Sequence, residues 1–183
     1  MADIIILSGS PSKRSRSQLT ADYAGKLAAK QGFTVKEISV TDFAPEDLLY
    51  ARFDSPEIAA AAQSINEAKG LIVASPVYKA AYTGVLKALL DLLPQHAFRN
   101  TPVLPIMTGG SPAHLLALDY ALKPLIANLK GEPLQGVYLC DHQINKGNTE
   151  QPFTDEDMVR RIHKQTNQLI ESIRRIHAAS AVE

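Results

Sequence analysis

The chain has 183 residues, 45% of them hydrophobic and 21% charged, and its 19 basic and 19 acidic side chains cancel. That length suits a single domain over residues 1–183, burying roughly two-thirds of its unfolded surface. With no basic excess, a general nucleic-acid binder is excluded, and one cysteine, Cys140, excludes an internal disulfide and suits a reducing cytoplasm.

At the N-terminus Asp3 stands where a secretory leader would carry lysine, and no apolar run reaches the length of a membrane span. From there, short apolar runs alternate with helical patterns. Residues 4–7 read as a first strand ending in a polar loop, 8–17, and Leu19, Tyr23 and Leu27 mark one face of the helix that follows. Residues 33–40 read as a second strand. Ser55-Pro56 reads as a helix N-cap with proline in the first turn, and that helix runs to about Ala68. Gly70 opens a third strand, 71–75. The loop 76–82 leads into a helix over about 84–93. Residues 102–108 read as a fourth strand, followed by Gly109-Gly110, a long helix over about 112–130 and a fifth strand, 134–141. In the last helix Thr154 and Asp157 resemble a capping box, and Val159, Ile162, Thr166, Leu169, Ile173 and Ile176 form its seam. Strands alternating with helices predict an α/β three-layer sandwich: a five-stranded parallel sheet in order 2-1-3-4-5, helices on both faces.

Ligands of such sheets sit beyond the carboxyl ends of strands 1, 3 and 4. The first of these loops holds five serines, one glycine and three basic residues in ten positions, just before a helix N-terminus. Hydroxyls, free N–H groups and Arg16 suit a phosphate dianion. A single glycine there cannot satisfy G-x-G-x-x-G, and G-K-[ST] is absent, so the phosphate expected is a terminal monoester. Pro76, Val77 and Tyr78 offer an apolar shelf, and Gly109-Gly110 allows close backbone approach. On one sheet edge, these loops point to a ring-bearing monophosphate.

Gly9-Ser10-Pro11 with Ser15-Arg16-Ser17, Ser75-Pro76-Val77-Tyr78 with Gly84 and Leu86-Lys87, and Thr108-Gly109-Gly110 together resemble the NADPH-dependent FMN reductase family, whose fold is flavodoxin-like. Within that family, residues 43–56 and 113–124 resemble the reductase component of two-component alkanesulfonate monooxygenases. The resemblance implies that Ser10, Ser15, Arg16, Ser17 and Gln18 bind the FMN phosphate. Pro76, Val77, Tyr78 and Lys79 would line the isoalloxazine and ribityl chain, and Thr108, Gly109, Gly110 and Ser111 would meet the pyrimidine edge or the nicotinamide side. It implies NADPH as donor, reduced flavin passed to a partner monooxygenase, and a homo-oligomer, dimer or tetramer. Hydride chemistry belongs to the cofactors, so no acid–base dyad is required and none of the three loops contains a carboxylate.

Pro124 lies within the apolar seam Leu115, Leu118, Leu122, Leu125 and Leu129, which Leu116 and Ile126 widen. Lacking an N–H, it would orphan the Tyr120 carbonyl of a regular helix at a cost of ~3 kcal/mol. A kink or π-bulge is the usual accommodation. The related sulfonate reductases carry a π-helix at the matching tyrosine, at their subunit interface, which implies the same role for Tyr120. Other readings stay open on residues alone: a quinone or azo reductase with prosthetic flavin, or an electron carrier on the same fold. Gly109-Gly110-Ser111-Pro112-Ala113 lacks the last glycine of a hydrolase elbow, and Cys140, Asp141 and His142 lack a second cluster at zinc spacing, so no metal site is expected. Lys13 and Arg14 are cations that an NADPH 2′-phosphate could meet, but two basic residues in a loop are usually just solvated, so the NADPH preference is what the resemblance implies.

Overall fold

A computed structural model describes residues 2–180. Its sheet is parallel throughout. β1 (Ile4–Ser8) lies between β2 (Val35–Ser39) and β3 (Gly70–Pro76), and β4 (Pro102–Gly109) lies outside β3. The outermost position holds two short strands end to end, β5 (Glu132–Pro133) and β6 (Val137–Cys140), both paired with β4. The order is the 2-1-3-4-5 expected of a flavodoxin-like sheet.

Side chains alternate across this sheet. Ile4, Ile6, Ile72, Ala74, Leu104 and Ile106 enter one core, under α1 (Arg16–Ala29) and α6 (Glu156–Ser180). Ile5, Leu7, Leu71, Val73, Val103 and Met107 enter the other, under α3 (Pro56–Asn66), α4 (Gly84–Asp91) and α5 (Lys123–Asn128). Burial on both faces makes the strands near-continuous apolar runs. A short α2 (Pro45–Leu49) joins the second layer. Among the described residues no helix is long and apolar enough to cross a membrane.

The fifth strand is the first correction. Instead of running unbroken over 134–141, it stops after Pro133 and resumes at Val137. The reason lies on β4. Leu134 N donates to Val103 O at 2.9 Å, so odd-numbered residues of β4 turn their backbone outward, and two residues on Pro105 has no N–H to offer. The partner offset is 30 residues at Val103–Pro133 and 31 at Ile106–Val137, so one extra residue bulges past the proline. Gly136 closes the bulge at φ +78°, where a Cβ would stand 2.6 Å from both Pro105 Cγ and Pro105 O.

The expected helix over 112–130 is also broken. Pro112–His114 is a 3₁₀ turn, Leu118–Leu122 is π-helical, and only Lys123–Asn128 is α-helix. Lys123 N–H reaches back five residues to Leu118 O. This widening comes one residue before Pro124, whose missing N–H denies Tyr120 O an α-helical partner.

Two caps differ as well. Ser55 occupies the N-cap of α3, but its hydroxyl donates to Asp47 Oδ2 at 2.7 Å instead of accepting from the helix. Asp47 is buried and needs that donor. At α6 the cap is Asp155, accepting from Asp157 N at 2.8 Å, because the helix begins two residues after Thr154. The predicted seam of α6 is buried at Ile162, Thr166, Leu169 and Ile173 and half-buried at Val159 and Ile176.

Candidate functional site

Three chain segments meet where β1, β3 and β4 end. β1 runs into a loop because Gly9 N donates to Ala74 O at 2.7 Å on β3, and the chain then leaves the sheet. Glycine is needed there: a Cβ would lie 2.8 Å from Leu86 Cδ2. The loop ends at Ser15, which caps α1 by accepting from Gln18 N at 3.1 Å and touches Ser17 Oγ at 3.1 Å. Arg16 N–H and Ser17 N–H, in the first turn, have no intrahelical acceptor.

Ser10, Ser15 and Ser17 are buried, and Ser10 Oγ accepts from Ser12 N at 3.2 Å. Arg16 is half-buried, and its Nε is buried with no hydrogen-bond partner, as is Ser8 Oγ at the end of β1. Buried donors are otherwise nearly always paired. Orphan donors beside the N-terminus of a 14-residue helix fit a phosphate monoester, which supplies acceptors and negative charge together. Gln18 turns aside: its amide donates to Glu37 Oε1 at 2.7 Å on β2. Burial, followed by the charges of Asp22 and Asp42, pushes the Glu37 carboxyl above its ordinary value, and Gln18 opposes that.

The second and third segments are locked together. Val77 N donates to Thr108 O at 2.7 Å, and both Thr108 and Ser75 are buried. Tyr78 N donates to Ala81 O at 2.8 Å and Ala81 N to Tyr78 O at 3.2 Å, closing a two-residue turn. At its tip Lys79 and Ala80 both have positive φ, 50° and 66°, a conformation that costs side-chain-bearing residues about 1–2 kcal/mol each. The turn leaves Pro76 and Val77 half-buried and Tyr78 and Lys79 exposed. Gly109 is buried against β6, where a Cβ would stand 2.6 Å from Tyr138 Oη, whereas Gly110 faces open space. Ser111 Oγ accepts from Ala113 N at 3.2 Å, a turn cap.

The structure thus brings the serines, Arg16, the 76–79 shelf and the 108–111 backbone to one sheet edge. Tyr120 and Pro124 lie on the π-helical segment and α5, with Tyr120 79% exposed.

Three residues that sequence reasoning missed hold this edge. Buried Thr83 caps α4 at Leu86 N, donates through its hydroxyl to Gly9 O, and sends its own N–H to Ser75 Oγ at 3.0 Å. The threonine just ahead of Gly84 was the available signal. Tyr138 donates to Ser111 O. Its phenol is pushed up by burial, with Cys140 and Asp141 adding to the rise, so it holds its proton for that bond. Asp141 Oδ2 stands 3.9 Å from an Arg16 terminal nitrogen. Neither could be placed without knowing where the bulge set the register. Among the described residues, no group of three or more His, Cys, Asp or Glu could hold a metal ion.

A flavodoxin-like sheet with orphan donors at a helix N-terminus, an apolar shelf and a glycine backbone on one edge fits a flavin-mononucleotide-binding α/β protein. The family model for NADPH-dependent FMN reductases matches residues 2–146, and the chain belongs to that family of oxidoreductases. It is 51% identical over 142 residues to FMN reductase (NADPH) of Escherichia coli K12, covering 77% of this chain and 74% of that one. To the NADH-dependent FMN reductase SfnF of Pseudomonas fluorescens Pf0-1 it is 38% identical over 150 residues, covering 77% and 80%. The apo crystal structure of NADH:FMN oxidoreductase (EMOB) superposes with a TM-score of 0.81 at 34% identity, covering 92% of this chain and 88% of that one.

Proposed function

We propose that this protein reduces free FMN with NADPH and supplies the reduced flavin to a flavin-dependent alkanesulfonate monooxygenase. The observation that carries the flavin half is the buried, unpartnered Arg16 Nε at the N-terminus of α1. The family match and the relatives named for FMN reduction support the reaction. The monooxygenase half rests on the resemblance of residues 43–56 and 113–124 described above.

In this reading Ser10, Ser15, Arg16 and Ser17 hold the FMN phosphate, with Gln18 N–H held by the Ser15 cap beneath them. Pro76, Val77, Tyr78 and Lys79 line the ring and ribityl chain. Thr108, Gly109, Gly110 and Ser111 present backbone to the pyrimidine edge and the nicotinamide side. Bound there, FMN supplies the acceptor for a hydride from NADPH; the chain's own work is to bind, align the rings and exclude water.

Residues 1–183 act as one domain, in the cytoplasm, where Cys140 stays a thiol. The protein works as a homo-oligomer, dimer or tetramer. Exposed Leu115, Leu116 and Tyr120 support this, and the π-helical turn would couple that contact to the flavin site.

The test is NADPH oxidation by flavin-stripped protein while free FMN is titrated. A rate that rises saturably well beyond one equivalent makes flavin a substrate. A plateau at one equivalent, with further turnover only after adding a quinone or dye, makes it a prosthetic group and sinks the supplier role. Arg16→Ala is expected to weaken FMN binding about 10–100-fold, the worth of a charge-assisted bond, with the thermal midpoint little changed.

A further inference from the structure

The relatives divide over the hydride donor: the Escherichia coli protein is named for NADPH and the Pseudomonas fluorescens protein for NADH. The two donors differ by one phosphate on the adenosine 2′ oxygen. Cations for it stand in at least two places. Lys13 and Arg14 stand exposed in the loop around the FMN phosphate cradle. The second place is a groove of about 620 Å³ beyond β6, between the π-helical turn and α6, lined among others by Tyr138, Asp119, Lys123, Arg161 and Lys164.

We infer that this groove receives the 2′-phosphate end of NADPH, with Arg161 and Lys164 as the residues that set donor specificity. The inference rests on the FMN reductase reading of the neighbouring site. Continuity is its first support. Tyr138 belongs to both places: its hydroxyl bonds Ser111 O beside Gly109, and its side chain forms part of the groove wall. A dinucleotide whose nicotinamide lies over that backbone can run into the groove without crossing the FMN phosphate.

Charge is the second support. Three cations line the groove against one carboxylate, and Asp119 is already spent on Lys123 at 2.6 Å. Arg161 is fixed through Nε to Asp157 Oδ2 at 2.9 Å, and its side chain stays 62% exposed. Lys164, one turn further along the same face of α6, has no ion-pair partner among the described residues. An oriented guanidinium fork beside a point charge suits a phosphate dianion. The groove's floor is built: Gln165, 4% exposed, accepts from Gly136 N at 3.0 Å and donates to Gln135 at 3.2 Å.

The test is calorimetric titration of flavin-free protein with adenosine 2′,5′-bisphosphate, compared with adenosine 5′-monophosphate. The bisphosphate is expected to bind at least tenfold tighter. That advantage should vanish in the Arg161→Ala/Lys164→Ala double variant and persist in Lys13→Ala/Arg14→Ala. In turnover, the KM for NADPH should rise about tenfold relative to that for NADH in the first variant only. An advantage that survives the first variant, or is lost with the second, overturns the assignment, as does an equal rise in both KM values. A wild type that binds the bisphosphate as expected yet oxidises no NADPH would refute the reductase reading and leave the groove assignment standing.

Discussion

The two faces of the sheet are finished differently. On one, α1 and the 25-residue α6 run regularly and seal a core of Ile4, Ile6, Ile72, Leu104, Ile162, Leu169 and Ile173. The other is covered by shorter pieces, none longer than the 11 residues of α3. There Leu49, Tyr50, Phe53, Leu115, Leu116 and Tyr120 are all at least half exposed. An open, largely apolar groove of about 670 Å³ runs along it, with Phe43, Leu48, Leu49 and Val85 among its walls. Long amphipathic helices complete a face alone. Short ones interrupted by proline leave apolar surface that only a second molecule can remove from water.

Core truncation should separate the faces most sharply. Ile173→Ala, at a side chain 2% exposed under the closed face, should cost ~2–5 kcal/mol by chemical denaturation. Tyr120→Ala, at a side chain 79% exposed, should leave unfolding of the isolated subunit within ~0.5 kcal/mol while shifting sedimentation toward smaller species. Equal losses at both would mean that the π-helical face is as complete as the other. Next in size, Thr83→Ala removes the cap of α4 and the tie to Gly9 and Ser75. It should cost ~1–2 kcal/mol and loosen FMN, whereas Thr83→Ser should restore most of both.

The smallest effect is one of pH, at the start of β1. Asp3 sits 2.7 Å from Lys69 Nζ and accepts from Thr34, bonds that hold its carboxyl far below the ordinary carboxylate range. A depressed folded-state value means stabilisation present above the unfolded value of about 3.9 and lost as pH falls below it. Asp3→Asn should therefore flatten the acid limb of the stability profile below about pH 4 and lower stability slightly at pH 7. An unchanged acid limb would show the ion pair to be inert, as many exposed pairs are.

What could be read from the sequence follows the same division. Strand order, the loop after β1 and the seam of α6 are local patterns, and Ser15, Arg16 and Ser17 fall where those patterns put them. The second face depends on atoms that proline lacks. Pro124 announces an irregularity, but the five-residue reach of Lys123 N–H emerges only once the helix is built. Pro105 lies inside the predicted strand 102–108, and its effect appears one strand away, in the offset at Val137. Tyr138 and Asp141 lie beyond that shift, so their approach to Ser111 and Arg16 could not be placed by counting alternation.

The interrupted outer strand also governs how copies of this chain can meet. A sheet margin invites another chain to extend it only when it presents a straight ladder of unpaired amides and carbonyls. Here that margin is a two-residue piece ending in Pro133, a kink at Gly136 and a four-residue piece turned by the bulge. A neighbour's backbone finds no continuous template there, which closes the route to sheet-extended fibres on this side. Contacts made at this margin would fall to side chains, and such contacts can be made, broken and adjusted without unzipping the sheet.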